Sequence, residues 1–130
     1  MRILLDTSAY SAFKRNHAKT LLLIRRSEEV LFSSVVAGEL LAGFRWVEQF
    51  EKNLGELLEF LENPRVALVP VTLRTADRYG RIYASLRTKG TPIPSNDMWV
   101  AAQCLETGAE LATMDKHFRS VEGLVWTDLN

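Results

Sequence analysis

Four acidic residues stand where a carboxylate has more to do than keep a surface soluble. Asp6 closes the short apolar run Ile3-Leu4-Leu5, and Asp115 directly follows Leu111-Ala112-Thr113-Met114. Asp97 comes two residues after Ser95, at the start of a segment with a helical apolar stripe. Glu39 is the only charged residue from Val30 through Phe44, and no basic residue lies three or four positions away to pair with it along a helix. An ionised carboxylate in such apolar company is destabilising unless something compensates it. Carboxylates brought to one spot also repel one another. A shared hard cation resolves both problems, and oxygen donors suit Mg²⁺ or Mn²⁺.

The elements that must position these acids follow from periodicity. Ile3–Leu5 and Val30–Phe32 read as buried parallel strands, and Val66–Val71 is a β-branched run that reads as a third. Glu110–Thr113 and Leu124–Trp126 read as two more short strands. Between them lie helical patterns. Residues 21–24 fall in a helix that fades near Ser27, and Ser33-Ser34 cap a second helix over about 35–44. Residues 46–62 carry Val47, Phe50, Leu54, Leu57, Leu58 and Leu61 on one face. Thr72 caps a helix striped by Ala76, Tyr79, Tyr83 and Leu86, and Thr91–Pro94 is loop. Ser95 or Asn96 caps the last helix, which buries Met98, Ala101, Ala102 and Leu105 and stops at Gly108. Strands alternating with helices imply an α/β domain with a mostly parallel sheet, spanning residues 1–130 as one unit. Ligands of such sheets sit beyond the carboxyl ends of the strands. Asp6, Asp97 and Asp115 all fall there.

A cation held at that place accepts phosphate oxygens, orients and activates a water, and stabilises the charge that develops on a phosphodiester. This is nuclease chemistry. Each acid alone has an ordinary structural role: Asp6 as a helix cap, Asp97 as a helix-start residue, Asp115 in a turn, Glu39 paired with a distant arginine. Each of those roles is also compatible with metal binding.

Composition sets the outer bounds. A chain of 130 residues buries roughly two-thirds of the surface its unfolded form exposes, enough for a core without staples. The single cysteine, Cys104, excludes an internal disulfide and a cysteine-rich zinc site. The apolar run at residues 3–5 is too short for a secretory signal, and none approaches the roughly 20 residues of a membrane span. A soluble, cytoplasmic protein with no membrane partner is expected. The formal net charge of zero counts against a plain nucleic-acid-binding module, which is usually basic. It counts less against an enzyme whose metal supplies the positive charge.

Four segments in order, Ile3-Leu4-Leu5-Asp6-Thr7-Ser8, Ser33-Ser34-Val35-Val36-Ala37-Gly38-Glu39-Leu40, Ser95-Asn96-Asp97-Met98-Trp99-Val100-Ala101-Ala102 and Thr113-Met114-Asp115-Lys116-His117-Phe118, resemble the PIN-domain family, specifically the VapC-type toxins of toxin–antitoxin pairs. The resemblance runs the length of the chain, through Val121-Glu122-Gly123-Leu124. It implies a three-layer α/β/α sandwich around a parallel sheet. It also implies a metal-dependent endoribonuclease using Mg²⁺ or Mn²⁺, a homodimer, and a cognate VapB-type antitoxin. Asp6, Glu39 and Asp97 match the family's strongest acidic positions, Asp115 its more variable fourth, and Thr113 a hydroxyl position near the metal. On this reading Asp6, Asp97 and Asp115 hold the metal, directly or through water, and Glu39 ligates it or orients the attacking water.

Lys116 and Arg119, which follow Asp115, are the better candidates for contacting RNA phosphates among the scattered basic residues. His17 and His117 are too few for a histidine metal site and are assigned to surface or packing, as Trp46, Trp99 and Trp126 are to the core. A haloacid-dehalogenase-like phosphatase needs a second aspartate where Ser8 stands, and a phosphoacceptor receiver lacks its expected acidic pair. Two alternatives stay open: a PIN nuclease of RNA maturation or decay, and a non-catalytic module that keeps the fold and only binds a partner.

Overall fold

A computed structural model describes residues 1–130. Five parallel strands form the central sheet: β1 (Arg2–Leu5), β2 (Glu29–Ser33), β3 (Val66–Val69), β4 (Glu110–Thr113) and β5 (Trp126–Asp128). Their spatial order is β3-β2-β1-β4-β5. Leu4 of β1 lies opposite Leu31 on one side and Leu111 on the other, so the middle strand is apolar on all sides, as a buried parallel strand must be. From β1 the chain steps outward to β2 and β3, then returns to the other side of β1 for β4 and β5. The reversal between β1 and β4 opens a crevice at their carboxyl ends, the general ligand position of open α/β sheets.

Six α-helices cover the sheet: α1 (Thr7–Lys14), α2 (Ala18–Arg26), α3 (Ser34–Trp46), α4 (Phe50–Glu62), α5 (Leu73–Lys89) and α6 (Ser95–Thr107). Ile3, Leu5, Val30 and Ala112 bury one face together with Ala9 and Leu129, against Leu23 and Ile24 of α2. Leu4, Leu31 and Leu111 bury the other against Ile82 and Leu86 of α5 and Val100, Ala101 and Cys104 of α6. The result is an α/β/α layering, in agreement with the expected fold. Tyr10, Phe32 and Phe60 meet edge-on with centroids 5.4–5.6 Å apart, which ties α1, β2 and α4 together. No helix is long and apolar enough to cross a membrane.

Several local expectations shift. Asp6 caps α1, as its position allows, while Asn16 at φ 60° turns the chain from α1 into a separate α2. The segment 46–62 is not one helix: Trp46 ends α3, Val47 is extended, and α4 starts only at Phe50. Trp46 therefore stands 91% exposed and outside the core. Strand β3 is shorter than expected, and as an edge strand it leaves Leu68 53% exposed. Strand β5 starts two residues late, because Gly123 (φ 81°) is still turning the chain. Neither Ser95 nor Asn96 caps α6. Ser95 is already helical, and the carbonyl of Pro94 accepts the Asp97 and Met98 amides. A 3-10 turn over Lys116–Ser120, not foreseen from periodicity, fills the gap after β4.

Candidate active site

Each acid reaches the crevice by its own route. Asp6 leaves β1 at the centre of the sheet and caps α1, with Oδ1 accepting from the Ala9 amide (2.9 Å) and from Ser8 Oγ (2.6 Å). Its Oδ2 accepts a short hydrogen bond from Thr113 Oγ1 at the end of β4. Thr113 Oγ1 in turn accepts the Asp115 amide at 2.9 Å, and Ser8 Oγ accepts the Met114 amide at 3.0 Å. Two hydroxyls thus lock the ends of β1 and β4 together and fix both oxygens of a carboxylate that is only 4% exposed. Thr113 is a positioning group for Asp6.

Glu39 lies mid-way along α3 and differs from its sequence reading. The helix buries only Val36 and Leu40, and Glu39 is half-buried. The apolar run misleads because the exposed positions of α3 before Arg45 are Gly38, Ala42 and Gly43, small residues that carry no charge. The carboxylate is nonetheless held from two sides. Thr7 Oγ1 donates to Oε1 at 3.1 Å and Asn96 Nδ2 to Oε2 at 2.6 Å, so α1 and α6 converge on it with neutral donors.

Asp97 sits in the first turn of α6, where the helix dipole favours negative charge, with its side chain 15% exposed. Its Oδ2 is 2.8 Å from Nε2 of His117. Asp115 is exposed at the end of β4, and ligand atoms of Asp97, Asp115 and His117 all lie within 4.8 Å of one another. His117 was assigned to surface or packing from the sequence. Asp97 and His117 are twenty residues apart, and only the turn after Asp115 brings them together. A histidine two residues from a candidate acid was the available signal.

The electrostatics point one way. Burial pushes the Asp97 carboxyl above its ordinary range. His117 opposes the shift, and the negative charges of Asp6 and Glu39 add to it. Burial likewise pushes Asp6 up against its three hydrogen bonds, and Asp115 adds to the rise. No lysine or arginine nitrogen lies within 4.0 Å of any of the four carboxylates. Lys116 and Arg119 are exposed on the 3-10 turn and pair with none of the acids. Four acids that feel one another, with His117 beside Asp97 as the one partner able to carry positive charge, form a donor set that suits a divalent cation.

The PIN domain family model matches residues 3–124. The chain belongs to the PIN domain family. Ribonuclease VapC1 of Haemophilus influenzae is 26% identical over 133 residues, covering 98% of each chain. Ribonuclease VapC2 of Rickettsia felis is 26% identical over 130 residues, covering 96% of each. Among solved structures, VapBC-1 from nontypeable H. influenzae aligns with a TM-score of 0.88 at 24% identity, over 99% of this chain and 98% of that one. The sarcin–ricin loop cleaving toxin VapC20 of Mycobacterium tuberculosis aligns with a TM-score of 0.70 at 21% identity, over 95% and 96%. At these identities the structural matches speak for the PIN fold of this chain.

Proposed function

We propose that this PIN domain is a divalent-metal-dependent endoribonuclease and the toxin of a toxin–antitoxin pair. The observation that carries the reading is the gathering of Asp97, Asp115 and His117, whose ligand atoms lie within 4.8 Å of one another, with Asp6 and Glu39 near enough to raise the Asp97 carboxyl and no lysine or arginine paired with any of the four acids. The names of full-length relatives, Ribonuclease VapC1 and VapC2, support the reaction class. Structures of VapBC assemblies of the same fold support an antitoxin partner.

Asp6, Asp97 and Asp115 are the groups that would hold Mg²⁺ or Mn²⁺, with Glu39 beside them. When bound, the cation would supply a Lewis acid for the phosphodiester and for the charge that develops on it. The protein's own part is orientation. Thr113 and Ser8 aim Asp6, while Thr7 and Asn96 keep Glu39 at the crevice, where one oxygen can accept a proton from the attacking water. Lys116 and Arg119 extend from the next turn as exposed contacts for the RNA backbone.

The test is cleavage of a mixed tRNA and rRNA pool by purified protein with Mg²⁺ or Mn²⁺, with chelator, and with an Asp97→Ala control. Cutting that requires both metal and Asp97 is expected. Cutting that survives in Asp97→Ala would show that the assigned site is wrong. Absence of cutting on every RNA offered would favour a module that only binds.

A further inference from the structure

We infer that His117 is a direct metal ligand, and that its nitrogen shifts the site's preference from Mg²⁺ toward Mn²⁺ and other first-row transition cations. The inference rests on the metal-site reading above and names a donor that the four acids do not include. Two donors of one cation held at about 2.1 Å lie about 3.0 Å apart when adjacent and about 4.2 Å apart when opposite. The ligand atoms of Asp97, Asp115 and His117 fall within 4.8 Å of one another, so side-chain movements of up to about 1 Å each bring them onto one cation.

The imidazole is placed for this. It projects from the 3-10 turn that begins right after Asp115, and its neighbour Phe118, fully buried, anchors that turn in the core. The His117 and Phe118 rings lie 4.9 Å apart, which restricts the imidazole to one side of the turn. Nε2 faces the Asp97 carboxylate at 2.8 Å, and the ring is 35% exposed, open enough for a solvated cation to arrive. In the metal-free protein Nε2 donates to Asp97; with the ring proton on Nδ1 instead, the same nitrogen presents its lone pair on the Asp97 side, where a cation would sit. Carboxylates and water suit Mg²⁺ and Mn²⁺ alike, whereas imidazole suits the transition metals. One nitrogen among the oxygens therefore discriminates between cations that an all-oxygen site treats similarly.

Pulsed electron paramagnetic resonance on Mn²⁺ bound to tag-free protein reads the ligand directly. The chain has two histidines, and His17 caps α2 through its bond with Thr20, so a nitrogen signal has one candidate source. The expected result is a directly coordinated ¹⁴N coupling in the wild-type protein that is absent in His117→Gln. In equilibrium titrations, His117→Gln should lose about ten-fold or more in Mn²⁺ affinity and less than about three-fold in Mg²⁺ affinity. Asp97→Asn serves as the reference for the site itself. Mn²⁺ that binds the wild type, is lost in Asp97→Asn and shows no nitrogen coupling would overturn the histidine ligand and leave the acidic site standing. Equal affinity in wild type and Asp97→Asn, or no Mn²⁺ binding by the wild type, would overturn both. The wild-type spectrum needs no variant, so a misfolded His117→Gln protein does not blunt the test.

Discussion

The two ends of the sheet use the same electrostatics to opposite effect. At the amino end, helices arrive with their carbonyl termini exposed, and arginines meet them. Arg2 donates to the Thr107 carbonyl at the close of α6 (2.8 Å), and Arg65 donates to Ile24 and Ser27 at the close of α2. Arg2 also pairs with Glu29 across β1 and β2 at 2.9 Å. At the carboxyl end, α1 and α6 start with their amide termini toward the crevice, and Asp6 and Asp97 meet them. Both arrangements follow the helix dipole. The difference is closure. Charge at the amino end is paired within the protein. At the carboxyl end two more acids, Glu39 and Asp115, are added with no cationic side chain, so the balance is left to something that binds. The lesson is that unpaired charge, more than charge itself, separates a candidate site from a solvated surface.

The largest expected effects come from breaking the carboxyl end. Asp6→Asn and Asp97→Asn should each lower metal-dependent RNA cleavage by about 100- to 1,000-fold, read as initial rates on a fixed RNA at saturating metal. Full activity in both would remove the acids from the mechanism. Thr113→Ala should act through Asp6, lowering cleavage by about 10- to 100-fold. It also leaves Asp6 Oδ2 and the Asp115 amide without a partner, so chemical denaturation should show a loss of about 1–3 kcal/mol.

Much of this contrast was legible in the residues, and the parts that were not have identifiable reasons. Asp6, Asp97 and Asp115 were placed at the carboxyl end because a strand end or helix start is local, and parallel topology then puts such ends together. The Ser33 and Thr72 caps and the Gly90 and Gly108 stops of α5 and α6 are equally local. Glu39 was singled out for the wrong reason: an apolar run of small residues reads as buried, but Gly38 and Ala42 face solvent. The two-residue error at β5 and the break at Val47 depend on a left-handed glycine and on where α4 packs, and periodicity carries neither. For His117 the sequence offers one signal, its place two residues after Asp115; its contact with Asp97, twenty residues away, depends on a turn whose course no pattern in the sequence announces.

Supplying or removing the compensating cation should move stability by less than the variants move catalysis. With Mg²⁺ or Mn²⁺ at about 100 times its dissociation constant, the wild type should gain about 2.7 kcal/mol against unfolding, and Asp97→Asn should gain far less. Equal gains would place the cation elsewhere. The metal-free protein should also respond to pH with a definite sign. Burial raises the Asp6 and Asp97 carboxyls in the folded state, so folding binds protons there more tightly than the unfolded chain does. That contribution is fully present below the unfolded carboxyl value of 3.8 and is lost as pH rises through the raised folded values. In thermal melts without metal, Asp97→Asn should therefore exceed the wild type near neutral pH, and the gap should narrow toward acid. Adding metal should reverse the order.

The smallest effect belongs to the amino end. Glu29→Gln removes a close ion pair, yet both side chains are about half exposed, at 43% for Glu29 and 50% for Arg2. Solvent screens such a pair, and Arg2 keeps its bond to the Thr107 carbonyl. The expected loss is about 0.2–1 kcal/mol in denaturant titration, diminishing with added salt, with cleavage unchanged. Charge neutralisation by one unit at either end is the same edit chemically. If Glu29→Gln lowered cleavage as much as Asp97→Asn, both losses would reflect a disturbed fold, since a more positive protein attracts RNA more strongly, not less. If it left cleavage intact while Asp97→Asn abolished it, the function would lie in the acids gathered at the carboxyl end of the sheet.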